Sequence, residues 1–298
     1  MRRFFINNSM LNESRAFITG GEYNHIVNVL RLRAGDEIVL CLNDGFDNIA
    51  RIESIDKKRV VASILRTEKN KAESAANCAL FQALVKGDKL EFIAQKATEL
   101  GANRIVPFVS EFSAVKFETS RAQRLHTACI EAAKQCGRAI TPVIPPVLAF
   151  NDVVNELKSY PLVIFPYENE REMTILHALQ GAQNQGARHK AQGKVSTQNA
   201  QCMIQNECQI ANNEIKSDYR PPAAGRRPPI DDNCQFSVAI VVGGEGGFSQ
   251  AEAEQLKAAG AVACSLGKRI LRAETAAVVT AGIVMNFLEE NMKKYLWP

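Results

Sequence analysis

The sequence predicts an α/β protein in two parts, a small β domain over residues 1–70 and a strand–helix alternation over residues 78–298. Three observations predict it. An Asp-Gly pair sits between two short apolar runs, which is a strong hairpin signal. Beyond a polar stretch the pattern changes to strands alternating with helices, as in a mainly parallel sheet. Two strands of the second part end in loops rich in glycine or basic residues, at the sheet end where α/β proteins bind ligands. A length of 298 residues fits two domains.

In chain order, Glu37 to Leu42 and Phe46 to Ile52 flank Asn43-Asp44-Gly45, and Arg59 to Leu65 is a further strand. Glu22 to Leu32 reads as a short helix with Ile26, Val29 and Leu30 on one face, ending near Gly35. Glu68 to Asn77 is polar, lacks aromatic residues and reads as a linker. Leu80 to Val85 is strand-like, and Asp88 to Leu100 is helical, with Gly101 as its stop. Arg104 to Val109 is the next strand, and Pro107 assigns it to an edge or a strand end. Ala122 to Cys136 is a helix stopped by Gly137, and Leu162 to Phe165 and Ser237 to Val242 are short buried strands. Ser249 to Ala259 opens with a Ser249–Glu252 capping box and stops at Gly260. Val262 to Ser265 is a last strand, and Ala276 to Tyr295 is a closing helix.

Residues 180–235 stand apart. Of these 56 positions 15 are Gln or Asn and only 7 are large and apolar, too little burial to offset ordering entropy. The expectation is a flexible insertion, with a weak helix around Gln198 to Glu214 and solvated prolines around Arg226-Arg227.

Charge excludes a tail-type polyanion binder. Residues 1–70 carry 11 basic and 9 acidic groups and residues 180–235 carry 7 and 5, while the other segments balance. A membrane span is not expected, since Ala276 to Leu288 is shorter than the roughly 20 residues a bilayer requires. Nor does Met1 to Ile6, turning polar at Asn7, read as a signal peptide. The eight cysteines include no C-x-x-C pair, and the four histidines supply no close ligand pairs. Reduced thiols in a cytoplasmic protein without a bound metal are expected.

Two loops carry the chemistry. Gly243-Gly244-Glu245-Gly246-Gly247-Phe248 follows a strand and precedes the capped helix, so its backbone can approach a ligand closely. It is neither G-x-G-x-x-G nor a phosphate loop, which counts against nicotinamide enzymes and nucleoside triphosphatases. Leu266-Gly267-Lys268-Arg269-Ile270-Leu271-Arg272-Ala273-Glu274-Thr275-Ala276 leads into the last helix, with Glu274 and Thr275 near its N-terminus.

Together these loops resemble the signature of the RsmE-type family, ribosomal RNA small-subunit uridine-N3 methyltransferases of the SPOUT superfamily. Three further segments are similar to that family: Lys86 to Glu91 with Gln95 to Gly101, then Glu131 to Arg138 followed by Pro142, and finally Arg3-Phe4-Phe5 with His25 and Val29-Leu30-Arg31. The resemblance spans the chain outside 180–235. It departs at Gly244, where the family has proline, and at Phe112, where arginine is common.

The resemblance implies a PUA-like β-barrel over 1–70 and a SPOUT α/β domain with a trefoil knot over 78–298, a rare exception to unknotted topology. It also implies a homodimer acting on 16S rRNA or the small subunit, with S-adenosylmethionine as cofactor. Cofactor contacts would come from Phe165, Pro166, Val242, Gly243, Gly244, Gly246, Gly247, Leu266, Gly267, Ile270, Leu271 and Thr275. Arg272 would stabilise negative charge on the target base, with Glu274 orienting it or the substrate. Arg3, Arg31, Arg33 and Arg138 would meet RNA. A noncatalytic RNA-binding or ribosome-assembly factor and a SPOUT methyltransferase acting on tRNA are the alternatives.

Overall fold

The computed structural model describes residues 1–12, 14–113, 119–191 and 237–296. The expected insertion lies outside these residues from 192 onward, as does the helix expected around Gln198 to Glu214; residues 180–191 are helical.

The N-terminal strands are β1 (Arg2–Phe5), β2 (Leu11–Asn12), β3 (Arg15–Ile18), β4 (Glu37–Cys41), β5 (Phe46–Ile55) and β6 (Val60–Lys69). They form one sheet in the order β1-β4-β5-β6-β3-β2, a curled half-barrel whose edges are β1 and β2. The expected Asp-Gly hairpin joins β4 to β5, with Asn43 and Gly45 both at positive φ and the Asp44 carboxylate accepting the Phe46 N–H at 3.0 Å. Phe4, Ile18, Ile38, Leu40 and Ile52 fill its core, alternating inward along their strands.

The helix expected over Glu22 to Leu32 is shorter and irregular. It consists of α1 (Gly20–Asn24) and one wider π-type turn over His25–Val29, and Arg31 adopts a φ of 54° just beyond. Within these two elements only Ile26 is buried, and Val29 is 68% exposed. Tyr23, Val27, Leu30 and Leu32 pack against the core only partly buried, and so short an element gains little from propensity alone.

The second sheet is wholly parallel. Its strands are β7 (Asn77–Ala83), β8 (Arg104–Val109), β9 (Leu148–Ala149), β10 (Leu162–Pro166), β11 (Ser237–Val242) and β12 (Val262–Cys264), in the order β12-β10-β11-β7-β8-β9. Helices α2 (Lys89–Glu99), α3 (Thr119–Cys136), α4 (Phe150–Leu157), α5 (Ile175–Ala191), α6 (Gln250–Ala258) and α7 (Ala273–Leu296) connect and cover it. Pro107 lies in β8, which only the two-residue β9 separates from the edge. The Ser249 capping box forms as expected, hydroxyl and Glu252 carboxylate each accepting the other's backbone N–H. Two apolar layers sandwich the sheet, one under α2, α5 and α7 and the other under α4 and α6. Helix α7 starts three residues earlier than expected, which places Glu274 in its first turn. No helix among the described residues is long and apolar enough to cross a membrane.

The two sheets are tied through the segment read as a linker. Glu73 accepts hydrogen bonds from the backbone N–H groups of Ala139 and Ile140, both at 2.8 Å, and pairs with Arg138. Asn70 donates to Asp47 in β5 and to the Gly137 carbonyl that ends α3. Asn43 in the hairpin accepts from the Thr141 N–H and hydroxyl. This segment therefore does structural work at the junction rather than acting as a loose spacer.

Candidate active site

Parallel order brings the carboxyl ends of β10, β11 and β12 side by side, so the loops that follow them meet. A cavity of about 460 Å3 opens between these loops. The glycine turn after β11 forms one wall. Its geometry is tight: the Gly247 N–H donates to the Gly244 carbonyl at 3.1 Å. A Cβ on Gly243 would stand 2.9 Å from the Gly247 carbonyl carbon, so no side chain fits there. Gly247 itself has a φ of 68°, which side-chain-bearing residues seldom adopt.

Neighbours hold this turn in place. Gln82 in β7 donates to the Gly243 carbonyl at 3.2 Å. The Glu245 carboxylate accepts from the Lys86 N–H at 2.9 Å and from the Lys89 ammonium at 3.0 Å. Burial opposes its ionisation, but those two donors outweigh burial and keep the carboxyl below its usual range. The Val85–Gly87 turn is braced in its own right by buried Arg121, which donates to the carbonyls of Val85 and Gly87.

The opposite wall is the segment from Ser265 into α7. Its helix opens when the Ala276 N–H reaches the Arg272 carbonyl at 2.8 Å, leaving the N–H groups of the preceding residues free at the cavity. Glu274 lines the cavity, and one of its oxygens, Oε2, is buried without a hydrogen-bond partner, 4.0 Å from Lys89 Nζ. Arg272 is exposed at the mouth, with no ion pair recorded among the described residues, and Ile270 is 84% exposed. The third wall, after β10, is shaped by Glu170. Its carboxylate accepts the N–H groups of Met173, Glu172 and Arg171, and these bonds hold its pKa below the ordinary value.

Most of the residues singled out from the sequence meet here. Pro166, Val242, Gly243, Gly244, Gly246, Gly247, Leu266, Gly267, Ile270, Leu271, Arg272 and Glu274 all line this one cavity. Two do not. Phe165 is fully buried in the apolar layer under α6, its ring 5.9 Å from that of Phe248, and Thr275 points to solvent outside the lining. Sequence reasoning also passed over lining residues such as Lys89, Tyr167, Glu168 and Arg171. The loop after β10 has no spacing signal, and only strand order would have revealed it.

The expected RNA-contacting arginines divide into two pairs. Arg31 and Arg33 are exposed on the β domain. Arg138 is not available to RNA: its side chain is 3% exposed, and it donates to Glu73 and to the carbonyls of Thr98 and Ala102. Arg3 is likewise committed, gripping the Asp47 carboxylate with both terminal nitrogens and reaching Cys41. Both are corrections to the expectation, because Arg138 is buried and Arg3 part-buried, and the donors of each are spent on internal acceptors.

Comparison with known proteins agrees with this geometry. Residues 72–216 and 227–285 match the RNA methyltransferase domain family, and residues 18–65 match the RNA methyltransferase PUA domain. The chain is 31% identical to the ribosomal RNA small subunit methyltransferase E of Bacillus subtilis over 93% of each sequence. It is 26% identical to the protein of that name from Mesomycoplasma hyopneumoniae, over 93% of this chain and 96% of the relative. Among solved structures it is similar to a ribosomal RNA small subunit methyltransferase E from Neisseria gonorrhoeae bound to S-adenosyl methionine. That match has a TM-score of 0.70 at 26% identity and covers 96% of this chain and 98% of the other. A Legionella pneumophila methyltransferase solved with bound SAM gives a TM-score of 0.69 at 25% identity, covering 96% of each chain.

Proposed function

This chain belongs to the ribosomal RNA small subunit methyltransferase E family, and from that premise we propose that it methylates N3 of a uridine in 16S rRNA, using S-adenosylmethionine. The observation that carries the reading is the cavity itself. A glycine turn that admits no Cβ at Gly243 faces a buried carboxylate oxygen of Glu274 that has no hydrogen-bond partner. Such a pair of walls fits a ligand that has a flat face for close backbone approach and a cationic group for Glu274.

The residues fall into roles by chemistry. Val242 and the turn from Gly243 to Gly247 offer backbone groups, and Leu266, Ile270 and Leu271 offer apolar contact for a purine. Pro166 and Gly267 complete the enclosure. When bound, S-adenosylmethionine supplies a methyl group on a sulfonium centre. Arg272, exposed at the mouth, stabilises the negative charge that uridine develops as N3 loses its proton, and Glu274 fixes the orientation of what binds beside it. Arg31 and Arg33 meet the RNA backbone from the β domain, where shape and splayed bases govern recognition.

We read residues 1–70 as the RNA-binding domain and 78–298 as the methyltransferase domain, with 180–235 an insertion. The chain acts as a homodimer in the cytoplasm, its last loops forming part of a trefoil knot as the resemblance implies. The test is to incubate the purified chain with S-adenosylmethionine and rRNA from a strain lacking the modification, then digest to nucleosides. N3-methyluridine should appear. If none forms and calorimetry detects no S-adenosylmethionine binding, the noncatalytic RNA-binding alternative holds instead.

A further inference from the structure

A second cleft, of about 550 Å3, adjoins the cavity. Tyr167, Glu168, Gly246 and Phe248 line both spaces, so the cavity and the cleft meet at these residues. A group lodged in the cavity and a group lodged in the cleft would be neighbours there. Phe112 is 51% exposed, and its Cβ lies 2.8 Å from where a Cβ on Gly246 would stand. An exposed aromatic ring is thus seated directly against the glycine turn. Single-stranded bases stack on rings of this kind regardless of sequence.

Glu168 stands where the two spaces meet. Its carboxylate oxygens lie 3.0 and 3.3 Å from the Cβ position of Gly247. The other carboxylates nearby are engaged. Glu170 is held by three backbone N–H groups, Glu245 by Lys86 and Lys89, and Glu254 on α6 accepts from Gln250. Glu274 lies 4.0 Å from Lys89, within the cavity and not the cleft. No hydrogen bond or ion pair of Glu168 is recorded among the described residues. The cations lining the two spaces that Glu168 borders are Lys257 from α6, with Nζ 5.5 Å over the Tyr167 ring, Arg171 from its own loop, Lys89 from α2, and Arg269 and Arg272 before α7.

We propose that this cleft receives the target base, stacked on Phe112, and that Glu168 accepts its N3 proton. The proposal rests on the methyltransferase reading above. Uridine N3 is a poor nucleophile while protonated, so its N–H bond must break as the new bond forms. The proton passes to a carboxylate oxygen of Glu168. The electron pair left on N3 forms the bond to the methyl carbon, and the pair of the broken S–C bond stays on sulfur. Glu168 then releases its proton to solvent, to which it is exposed. A positioned base of this kind contributes roughly 10²- to 10⁴-fold.

The test uses the full chain and the variants Glu168→Gln and Phe112→Ala. At saturating S-adenosylmethionine, Glu168→Gln should methylate rRNA roughly 10²- to 10⁴-fold more slowly than the unaltered chain at neutral pH. Its rate should climb about tenfold per pH unit, because uridine must now ionise unaided. A second readout needs no cofactor. The unaltered chain should bind a short oligouridylate more tightly than the same oligomer methylated at N3, and Glu168→Gln should lose that preference. Phe112→Ala should weaken binding to both oligomers on the order of ten- to hundred-fold. A Glu168→Gln chain that keeps the full rate, the original pH profile and the oligomer preference overturns the proposal. If the unaltered chain itself makes no N3-methyluridine, the methyltransferase reading has failed, and the oligomer preference still decides the cleft.

Discussion

Replacing Arg138 with alanine should destabilise the whole chain, although the residue does not line the cavity. Its side chain is 3% exposed, and Glu73, its partner, is 10% exposed. Nε and Nη2 donate to the Glu73 carboxylate, while Nη1 donates to the carbonyls of Thr98 at 3.0 Å and Ala102 at 2.8 Å. Alanine would leave a buried carboxylate without its cation and strip a donor from each of those two carbonyls. Breaking a buried pair from one side costs about 3–5 kcal/mol. For a chain of this size that is a fall in Tm of roughly 6–20 °C. Arg138→Lys should fall between, since an ammonium is a point charge and cannot span a carboxylate and two carbonyls together. Urea denaturation followed by circular dichroism would measure both variants. A loss under about 1 kcal/mol for Arg138→Ala, the worth of an exposed pair, would refute the argument that this arginine is a structural tie.

Three further outcomes follow from the site and the core. Gly243→Ala would push a methyl group to 2.9 Å of the Gly247 carbonyl carbon; calorimetry should show S-adenosylmethionine affinity falling at least about tenfold, with the circular dichroism spectrum unchanged. Arg272→Ala should lower methylation on the order of 10²- to 10³-fold while calorimetry finds cofactor affinity nearly intact; unchanged turnover would remove Arg272 from its assigned role. Burial pushes the thiols of Cys41 and Cys129 up to about 11 and those of Cys78 and Cys264 up to about 12, from an ordinary 9.0. Because these folded-state values are raised, their contribution to stability is complete below pH 9 and drains away as pH climbs towards 11–12. Urea midpoints measured from pH 8 upward should therefore decline, and site-resolved mass spectrometry should find these four thiols unalkylated in the native chain at pH 8.

Local chemistry was legible in the sequence where the signal is itself local. The Ser249–Glu252 box, the Asp44-Gly45 hairpin and the helix stops at Gly101, Gly137 and Gly260 all appear where the residues placed them. Each depends on a few consecutive residues and their own backbone. The glycine turn and the Arg272–Glu274 segment were legible too, although 20 and more residues apart, because both follow strands and parallel sheets gather such ends. What failed was burial. Arg138 looked like an RNA contact from its motif, yet its partner Glu73 is 65 positions away in a segment that reads as a spacer. Composition cannot separate a solvated arginine from one that knits two sheets together. The helix expected over Glu22 to Leu32 failed for a related reason, since its apolar spacing promised a buried face, whereas the sheet buries Ile26 fully, covers Leu30 in part and leaves Val29 exposed. Glu168 and Tyr167 escaped notice because nothing in their neighbours' sequence says that β10 lies beside β11.

The measurement that tests the central claim most directly is mass-spectrometric mapping of ribosomal RNA from a strain deleted for this chain and from the same strain complemented with it. One N3-methyluridine should disappear from 16S rRNA on deletion and return on complementation with the intact chain, but not with Arg272→Ala. An unchanged methylation map in the deletion strain, or the loss of a methylated nucleoside from tRNA instead, would contradict that claim.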